Sequence, residues 1–400
     1  MSIRNQEMKI KKKILCNISG HELPLDLENN LQLIQTYTKI LTIFDEIHFI
    51  CRSTKCGKSQ TISHSQKPIH IHFVKVSNNS IDRTLGAILR LFFSAISRKK
   101  KYNISHFLAS DTTIGGIVCS LLKIFIKAKF ILEVQGEMTR ISKNAIGWRR
   151  AFLYKQTTIL SSRFAFLVRA VSETVKQQLI EDGINPRKIR VVTSRVDINN
   201  FDFLAHPNAQ KEIKQRFNIS EESKLFVLIG RLVVFKGITF LLQALQNFNK
   251  IPFKLLIVGD GILRSDLETE AAHLGLKDKV IFAGEISYDK IPYYISAADI
   301  IFIPSTDEGF PRVMLEAMAM KKLIAASLVG GIKDIAINKF NGYFFPPQNP
   351  SAIFETLNII FEESQIDFCI ENGYKLVVEK YEFNVAMNTY LALLRELIGN

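Results

Sequence analysis

Two carboxylates offer the clearest chemistry in the chain. Glu308 and Glu316 stand in the run Pro304-Ser305-Thr306-Asp307-Glu308-Gly309-Phe310-Pro311-Arg312-Val313-Met314-Leu315-Glu316. The apolar residues Ile300-Ile301-Phe302-Ile303 ahead of it read as a buried strand, Pro304 ends that strand, and Pro311 suits the first turn of a helix. Glu308 then belongs to a loop and Glu316 to the helix. In a doubly wound sheet both face the crevice beyond the carboxyl ends of the strands, where helix N-termini offer free N–H groups to anions. The paired carboxylates of a glycosidase stand roughly 5 to 10 Å apart, whereas this spacing in a helix spans about 12 Å. Two separate ligand contacts fit better than an acid–base pair.

Cations occupy the same kind of position earlier in the chain. Gly230-Arg231-Leu232 follows the apolar run Leu225–Ile229, and Lys236-Gly237 opens the next amphipathic stretch. Two positive side chains at a strand-to-helix turn suit a diphosphate better than they suit a solvated surface. Gly259-Asp260-Gly261 ends the following strand, where Gly259 allows backbone to approach a ligand. No Asp-x-Asp triplet is present to hold a cation on a diphosphate, and the positive side chains can take its place.

Strands and helices in alternation must position these groups. After residue 224 the apolar runs Leu225–Ile229, Phe253–Val258, Lys279–Phe282 and Ile300–Ile303 are separated by amphipathic segments, which is the pattern of a parallel sheet. The first half repeats it less cleanly, through Ile14–Ile18, Glu46–Cys51, His70–Val76, Ile104–Ala109, Phe130–Val134, Ala165–Val171 and Arg190–Val192. A chain of 400 residues exceeds the usual size of one core. We therefore divide it into a first domain over residues 1–198, a polar linker over 199–223 and a second domain over 224–400 that ends in several helices.

In order, Gly-Arg-Leu with Lys-Gly, Val258-Gly259-Asp260-Gly261, Val280-Ile281-Phe282-Ala283-Gly284, the two spaced glutamates and Gly330-Gly331 resemble the family-4 retaining glycosyltransferases. The resemblance covers residues 225 to 347 and reaches back loosely to Ala170-Val171-Ser172-Glu173. It implies an α/β GT-B fold, two Rossmann-like doubly wound domains facing a central cleft. It also implies that Arg231 and Lys236 bind the donor diphosphate, that Glu308 holds the donor sugar and that Glu316 accepts from ribose hydroxyls. The backbone of Gly309, Phe310 and Pro311 would line the sugar and phosphates, and the segment from Phe282 to Glu285 would pack on the base. The implied co-substrate is a nucleotide-diphosphate sugar, with no further cofactor and no metal, and the implied acceptor is a lipid-linked saccharide, lipopolysaccharide or surface polysaccharide.

The first domain departs from the family pattern. Ser19-Gly20-His21 replaces paired glycines, so Gly20 either approaches the phosphate or simply turns the chain. Gln135 follows the strand Phe130–Val134 where a histidine is frequent; it can contact a sugar hydroxyl but cannot act as a base. His106 and Asp111 are the other acceptor-side candidates, and Arg195 replaces a glycine of the family pattern. A nucleotide-sugar epimerase or hydrolase, or a non-catalytic carbohydrate-binding subunit, remains an alternative.

The formal charge of +14 is uneven: residues 1–200 carry +18 and residues 201–400 carry −4. The basic half points to an anionic partner. An apolar run from Leu85 ends in Arg98-Lys99-Lys100-Lys101, and Trp148-Arg149-Arg150-Ala151-Phe152-Leu153-Tyr154-Lys155 repeats the combination. Both suit the headgroups of an anionic membrane, against the alternative of ordinary helices with solvated tails. No nucleic-acid motif accompanies the charge, so nucleic acid is not expected as a partner. The segment Met1–Lys13 lacks the apolar centre of a signal peptide and no apolar stretch reaches the length of a membrane span. The expected location is the cytoplasm, peripheral on the inner face of the cytoplasmic membrane. Five cysteines form no framework, and Cys51 and Cys56 among His48, His64, His70 and His72 match no standard zinc spacing. Gly57-Lys58-Ser59 lacks the earlier glycine of a phosphate-binding loop.

Overall fold

The alternating apolar runs become two parallel sheets. The computed structural model describes residues 12–21, 31–55, 59–64, 67–77, 82–136 and 147–399; Cys56, Gly57 and Lys58 lie outside them. The first domain runs through β1 (Ile14–Ser19), α1 (Leu31–Ile40), β2 (Glu46–Ser53), β3 (Gln60–His64), β4 (Lys67–Lys75), α2 (Ala87–Tyr102), β5 (His106–Ala109), α3 (Ile114–Ile126), β6 (Phe130–Val134), α4 (Trp148–Phe164), β7 (Leu167–Ala170), α5 (Glu173–Glu181) and β8 (Ile189–Val191). Its strand order is β3-β4-β2-β1-β5-β6-β7-β8, and only β3 runs antiparallel to its neighbour.

The second domain contains α6 (Ala209–Arg216), β9 (Lys224–Ile229), α7 (Ile238–Gln246), β10 (Phe253–Val258), α8 (Arg264–His273), β11 (Val280–Gly284), α9 (Ile291–Ala297), β12 (Ile300–Ile303), α10 (Arg312–Ala319), β13 (Leu323–Ser327), β14 (Tyr343–Phe345), α11 (Pro350–Ile360) and α12 (Ile366–Leu376). Its sheet, β11-β10-β9-β12-β13-β14, is parallel throughout. Strands such as Leu225-Phe226-Val227-Leu228 are buried on both faces, as a parallel sheet covered by helices on each side requires. In each sheet the order reverses beside the first strand, β1 or β9, which opens a crevice at the carboxyl ends.

The division at residues 199 and 224 differs from the structure at two places. The stretch read as linker contains α6, whose Ala209 and Ile213 are buried against the second domain while Gln210 Nε2 donates to Asp299 Oδ2 at 3.1 Å. One apolar stripe at helical spacing suffices to dock a helix that is otherwise polar. At the other end, α13 (Phe383–Ile398) returns to the first domain, packing Phe383, Met387, Leu391 and Leu394 in one cluster with Leu15, Ile47 and Phe49. Its Tyr390 hydroxyl donates to Glu133 Oε1 at 2.8 Å, and Glu396 receives Arg190 through two bonds of 3.0 and 2.8 Å. Residues 224–400 therefore serve both domains.

The domains also meet where Asp334 caps α5, accepting from Glu173 N at 2.5 Å and from Thr174 Oγ1 at 2.7 Å. Among the described residues no helix is long and apolar enough to cross a membrane.

Candidate functional site

Glycines bring the strand ends of the second domain together. Gly259 has φ 134° and a Cβ there would overlap the carbonyl oxygen of Gly230, so the loops after β9 and β10 touch through backbone alone. Gly237, at φ 63°, lies against the carbonyl of Pro304 and starts α7 with Lys236 just ahead of it. These approaches leave a cavity of about 690 Å³ beyond β9, β10 and β11, lined by Arg231, Gly259, Glu285, Ile286, Tyr288 and Glu316 among others.

Glu316 forms the buried wall of this cavity, 4% exposed on α10. It accepts from the Tyr288 hydroxyl at 2.8 Å and lies 3.6 Å from Arg312. Burial pushes its carboxyl above the usual carboxylate range, although Arg312 and the Tyr288 hydrogen bond pull the other way. A carboxylate held this way is an acceptor for hydroxyl donors. Phe282 is not a wall of the cavity: its ring packs on the second domain's core, and Glu285 and Ile286 supply the lining there. The expectation of base packing passes from Phe282 to those two neighbours.

A smaller cavity of about 160 Å³ adjoins the first, lined by Lys236, Glu308, Phe310 and Pro311. Lys236 Nζ donates to Glu308 Oε2 at 2.7 Å, and Ser305 Oγ donates to the same oxygen at 3.3 Å. Gly309 presses on the first domain, for a Cβ on it would overlap the backbone of Gln135 and Gly136. The carboxylate, the ammonium and the glycine-lined backbone thus stand where the two domains face each other.

On the first-domain side a third cavity, about 420 Å³, is lined by Glu133, Gln135, Arg169, Arg195, Tyr390 and Arg312 among others. Gln135 is at this wall, with Nε2 donating to Glu133 Oε2 at 3.2 Å. Arg195 is here as well, stacked over Phe383 and Tyr390 and donating to Thr36 Oγ1 at 2.6 Å.

The other acceptor-side candidates are placed differently. Asp111 spends its carboxylate on backbone amides, accepting from Gly20 at 2.6 Å and from Thr113 and Gly115 at 3.1 Å. It ties the end of β1 to the start of α3. Gly20 accordingly gives its amide to Asp111, and it is glycine because a Cβ would lie 2.6 Å from that of Ile114. His106 begins β5 instead of following it, so it lies at the amino end of the sheet, bonded to Ser105 Oγ at 2.7 Å. The crevice lies at the opposite, carboxyl end of the strands.

Residues 209–376 match the family model described as glycosyl transferases group 1. The second domain belongs to the glycosyl transferases group 1. The chain is similar to an uncharacterized glycosyltransferase of Methanocaldococcus jannaschii, 29% identical over 234 residues, 58% of this chain and 60% of that protein. A lipopolysaccharide 1,2-N-acetylglucosaminetransferase of Salmonella typhimurium is 30% identical over 45% of this chain and 50% of its own. The chain spans about half to two thirds of the length of the first curated relatives it matches. A longer alignment, 88% of this chain and 92% of the relative at 23% identity, joins it to the N-acetylgalactosamine-N,N'-diacetylbacillosaminyl-diphospho-undecaprenol 4-alpha-N-acetylgalactosaminyltransferase of Campylobacter jejuni. Among solved structures, sucrose-phosphate synthase from Thermosynechococcus elongatus superposes with a TM-score of 0.80 at 18% identity, covering 97% of this chain and 100% of that one. Anabaena HepE, solved with UDP and glucose, gives 0.75 at 18%, covering 96% and 100%. The fold is GT-B, two doubly wound domains around a cleft.

Sequence reasoning missed several residues of the cleft. Arg312 of the group 1 domain lines all three cavities, and its Nη2 donates to the Tyr288 hydroxyl at 3.0 Å. The signal was four residues of helical spacing between Arg312 and Glu316, with both on one face. Glu133 and Arg169 were also missed. They are register partners on β6 and β7, buried and 2.8 Å apart. One charge inside each of two apolar strands is the sequence sign of such a pair.

Proposed function

We propose that the protein transfers a sugar from a nucleoside diphosphate sugar to a glycan or lipid-linked saccharide, with retention of anomeric configuration and with protein cations in place of a metal on the diphosphate. The observation that carries this reading is the continuity of the crevice. A buried carboxylate, Glu316, lies in a cavity rimmed by Arg231 and Arg312, and the Lys236–Glu308 pair lies in the next. Carboxylates suit the hydroxyls of ribose and sugar, and cations suit a departing diphosphate. The activities of the relatives, glycosyl transfer to lipopolysaccharide and to a diphospho-undecaprenol saccharide, and the UDP in HepE support the same substrate class.

In the proposed reaction the bond from the anomeric carbon to the diphosphate oxygen breaks while the acceptor oxygen bonds on the same face. The acceptor's proton passes to the departing phosphate oxygen. Arg231 and Lys236 stabilise the charge on the diphosphate and Glu308 orients the sugar, so Gln135 needs no basic nitrogen and serves as a hydroxyl contact.

The acceptor side would lie against the inner face of the cytoplasmic membrane. Supporting this, α3 lies between α2 and α4, and these helices expose Leu89, Phe93, Phe125, Trp148 and Phe152, each at least 56% accessible. Lys99, Lys100 and Lys101 close α2, and Arg149 and Arg150 open α4. Apolar side chains amid cations match an anionic headgroup layer.

The test is thermal shift and donor turnover with a panel of nucleoside diphosphates and their sugars, with and without magnesium. Stabilisation by one base family, equal in magnesium and in chelator, together with acceptor-dependent release of the diphosphate, is the expected result. Donor loss without acceptor would identify a hydrolase or epimerase, and binding without turnover a non-catalytic subunit.

A further inference from the structure

A second group of ligating atoms lies on the first sheet, away from the crevice. Strands β2 and β4 run parallel with His48 beside His70, so alternate residues Glu46, His48, His70 and His72 share a face. Glu46 Oε1 lies 2.9 Å from His48 Nε2 and 2.9 Å from His70 Nε2. These three atoms are all within 4.8 Å of one another. Glu46 and His48 are buried, with His48 wholly inaccessible.

The opposite ring nitrogens are already engaged. His48 Nδ1 is 2.9 Å from His72 Nε2, and His70 Nδ1 is 2.9 Å from Thr61 Oγ1 on β3. Metal-bound histidines characteristically have their second nitrogen held in this way, which sets the tautomer and the ring plane. The Tyr102 ring covers the group, 4.5 Å from the His48 centroid. Glu46 places a buried carboxylate between the two rings.

We infer that Glu46, His48 and His70 form a binding site for one divalent transition-metal ion of the zinc class, clasping β2 to β4. Two imidazoles and a carboxylate are borderline ligands that suit zinc, cobalt or nickel, and three protein ligands leave a fourth position for water. On binding, Glu46 withdraws by about 1 Å to admit an ion at the usual 2.0–2.2 Å from its ligands. His48 and His70 each keep one proton, moved from Nε2 to Nδ1; His72 makes the same change, so that its Nε2 accepts from His48 while Thr61 Oγ1 accepts from His70. Glu46 starts β2, whose carboxyl end is about 23 Å further on. The ion would therefore be structural and separate from donor chemistry.

The experiment uses full-length, tag-free protein stripped with chelator, then dialysed against Zn(II) or Co(II). Wild type is expected to retain about one equivalent, to gain visible absorption with cobalt and to melt several degrees higher. His70→Gln and Glu46→Gln are expected to retain less than about a tenth as much and to lose the thermal shift. Both variants are checked for native circular dichroism and for an unchanged shift with nucleoside diphosphate, which reports the crevice independently. Failure of folded wild type to retain metal, or full retention by both folded variants, would overturn the site.

Discussion

Lys236 Nζ and Glu308 Oε2 stand 2.7 Å apart, each the other's counter-ion across a cavity that both line. Lys236 comes from the turn before α7 and Glu308 from the loop before α10, so the pair forms only when β9 and β12 lie side by side. Lys236→Ala is expected to lower donor turnover by about 100- to 1,000-fold, the usual cost of one donor to developing oxyanion charge. Glu308→Gln should lower it by roughly 10- to 100-fold while leaving nucleoside diphosphate affinity within a few-fold. Unfolding free energy should change by no more than about 1 kcal/mol, because the pair is partly solvated. Equal, full turnover by both variants would remove these residues from the site.

Glu316 is expected to trade stability for binding. Burial raises its folded-state carboxyl above the unfolded value. A raised carboxyl contributes stability that is fully present below the unfolded value and is lost as pH rises through the folded one. Above the folded value the ionised group therefore weakens the ligand-free fold, and Glu316→Gln should raise the melting temperature there by about 2–4 °C per kcal/mol recovered. The gain should vanish near pH 4. Donor affinity should fall by about 10- to 100-fold, the loss of a charged hydrogen-bond acceptor. Melting curves at pH 4 and 7 check the first part and titration with nucleoside diphosphate the second.

The buried Glu133–Arg169 pair should be costly to break and cheaper to replace. Arg169→Met leaves an uncompensated carboxylate beneath the cleft, with Tyr390 and Gln135 as its remaining donors. Urea unfolding should show a loss of about 3–5 kcal/mol. The double change Glu133→Leu with Arg169→Met should lose less than the single one. A double variant as unstable as the sum of the two singles would show that the charges act independently.

Gly237→Ala tests the close approach of two loops. The residue has φ 63° and its added methyl meets the Pro304 carbonyl, so the turn must shift. A loss of about 1–3 kcal/mol is expected, with turnover falling further than stability because Lys236 is the preceding residue. Turnover at the wild-type level in the folded variant would show that the turn is not needed in this position.

Local chemistry made much of the second domain legible. Strands Phe253–Val258 and Ile300–Ile303 stand where their apolar runs place them, and Pro304, Gly237 and Gly259 mark turns whose backbone only proline or glycine suits. Phe282 was misread because a strand's alternation can be seen in sequence while the side that faces a ligand cannot. His106 already stood within the apolar run Ile104–Ala109, and the strand it begins carries it to the end away from the crevice.

Sequence alone determined the alternation of strands and helices, the turn chemistry and the presence of carboxylates and cations at strand ends, since each depends on a few neighbouring residues. The tertiary structure decided the rest. It sent α13 back across the first domain, placed Arg312 beside three cavities, matched Glu133 with Arg169 and brought Glu46 and His48 to His70. The physical reason is common to all four. An apolar stripe or a charged side chain specifies that it needs a partner, and only strand register and domain packing specify which one.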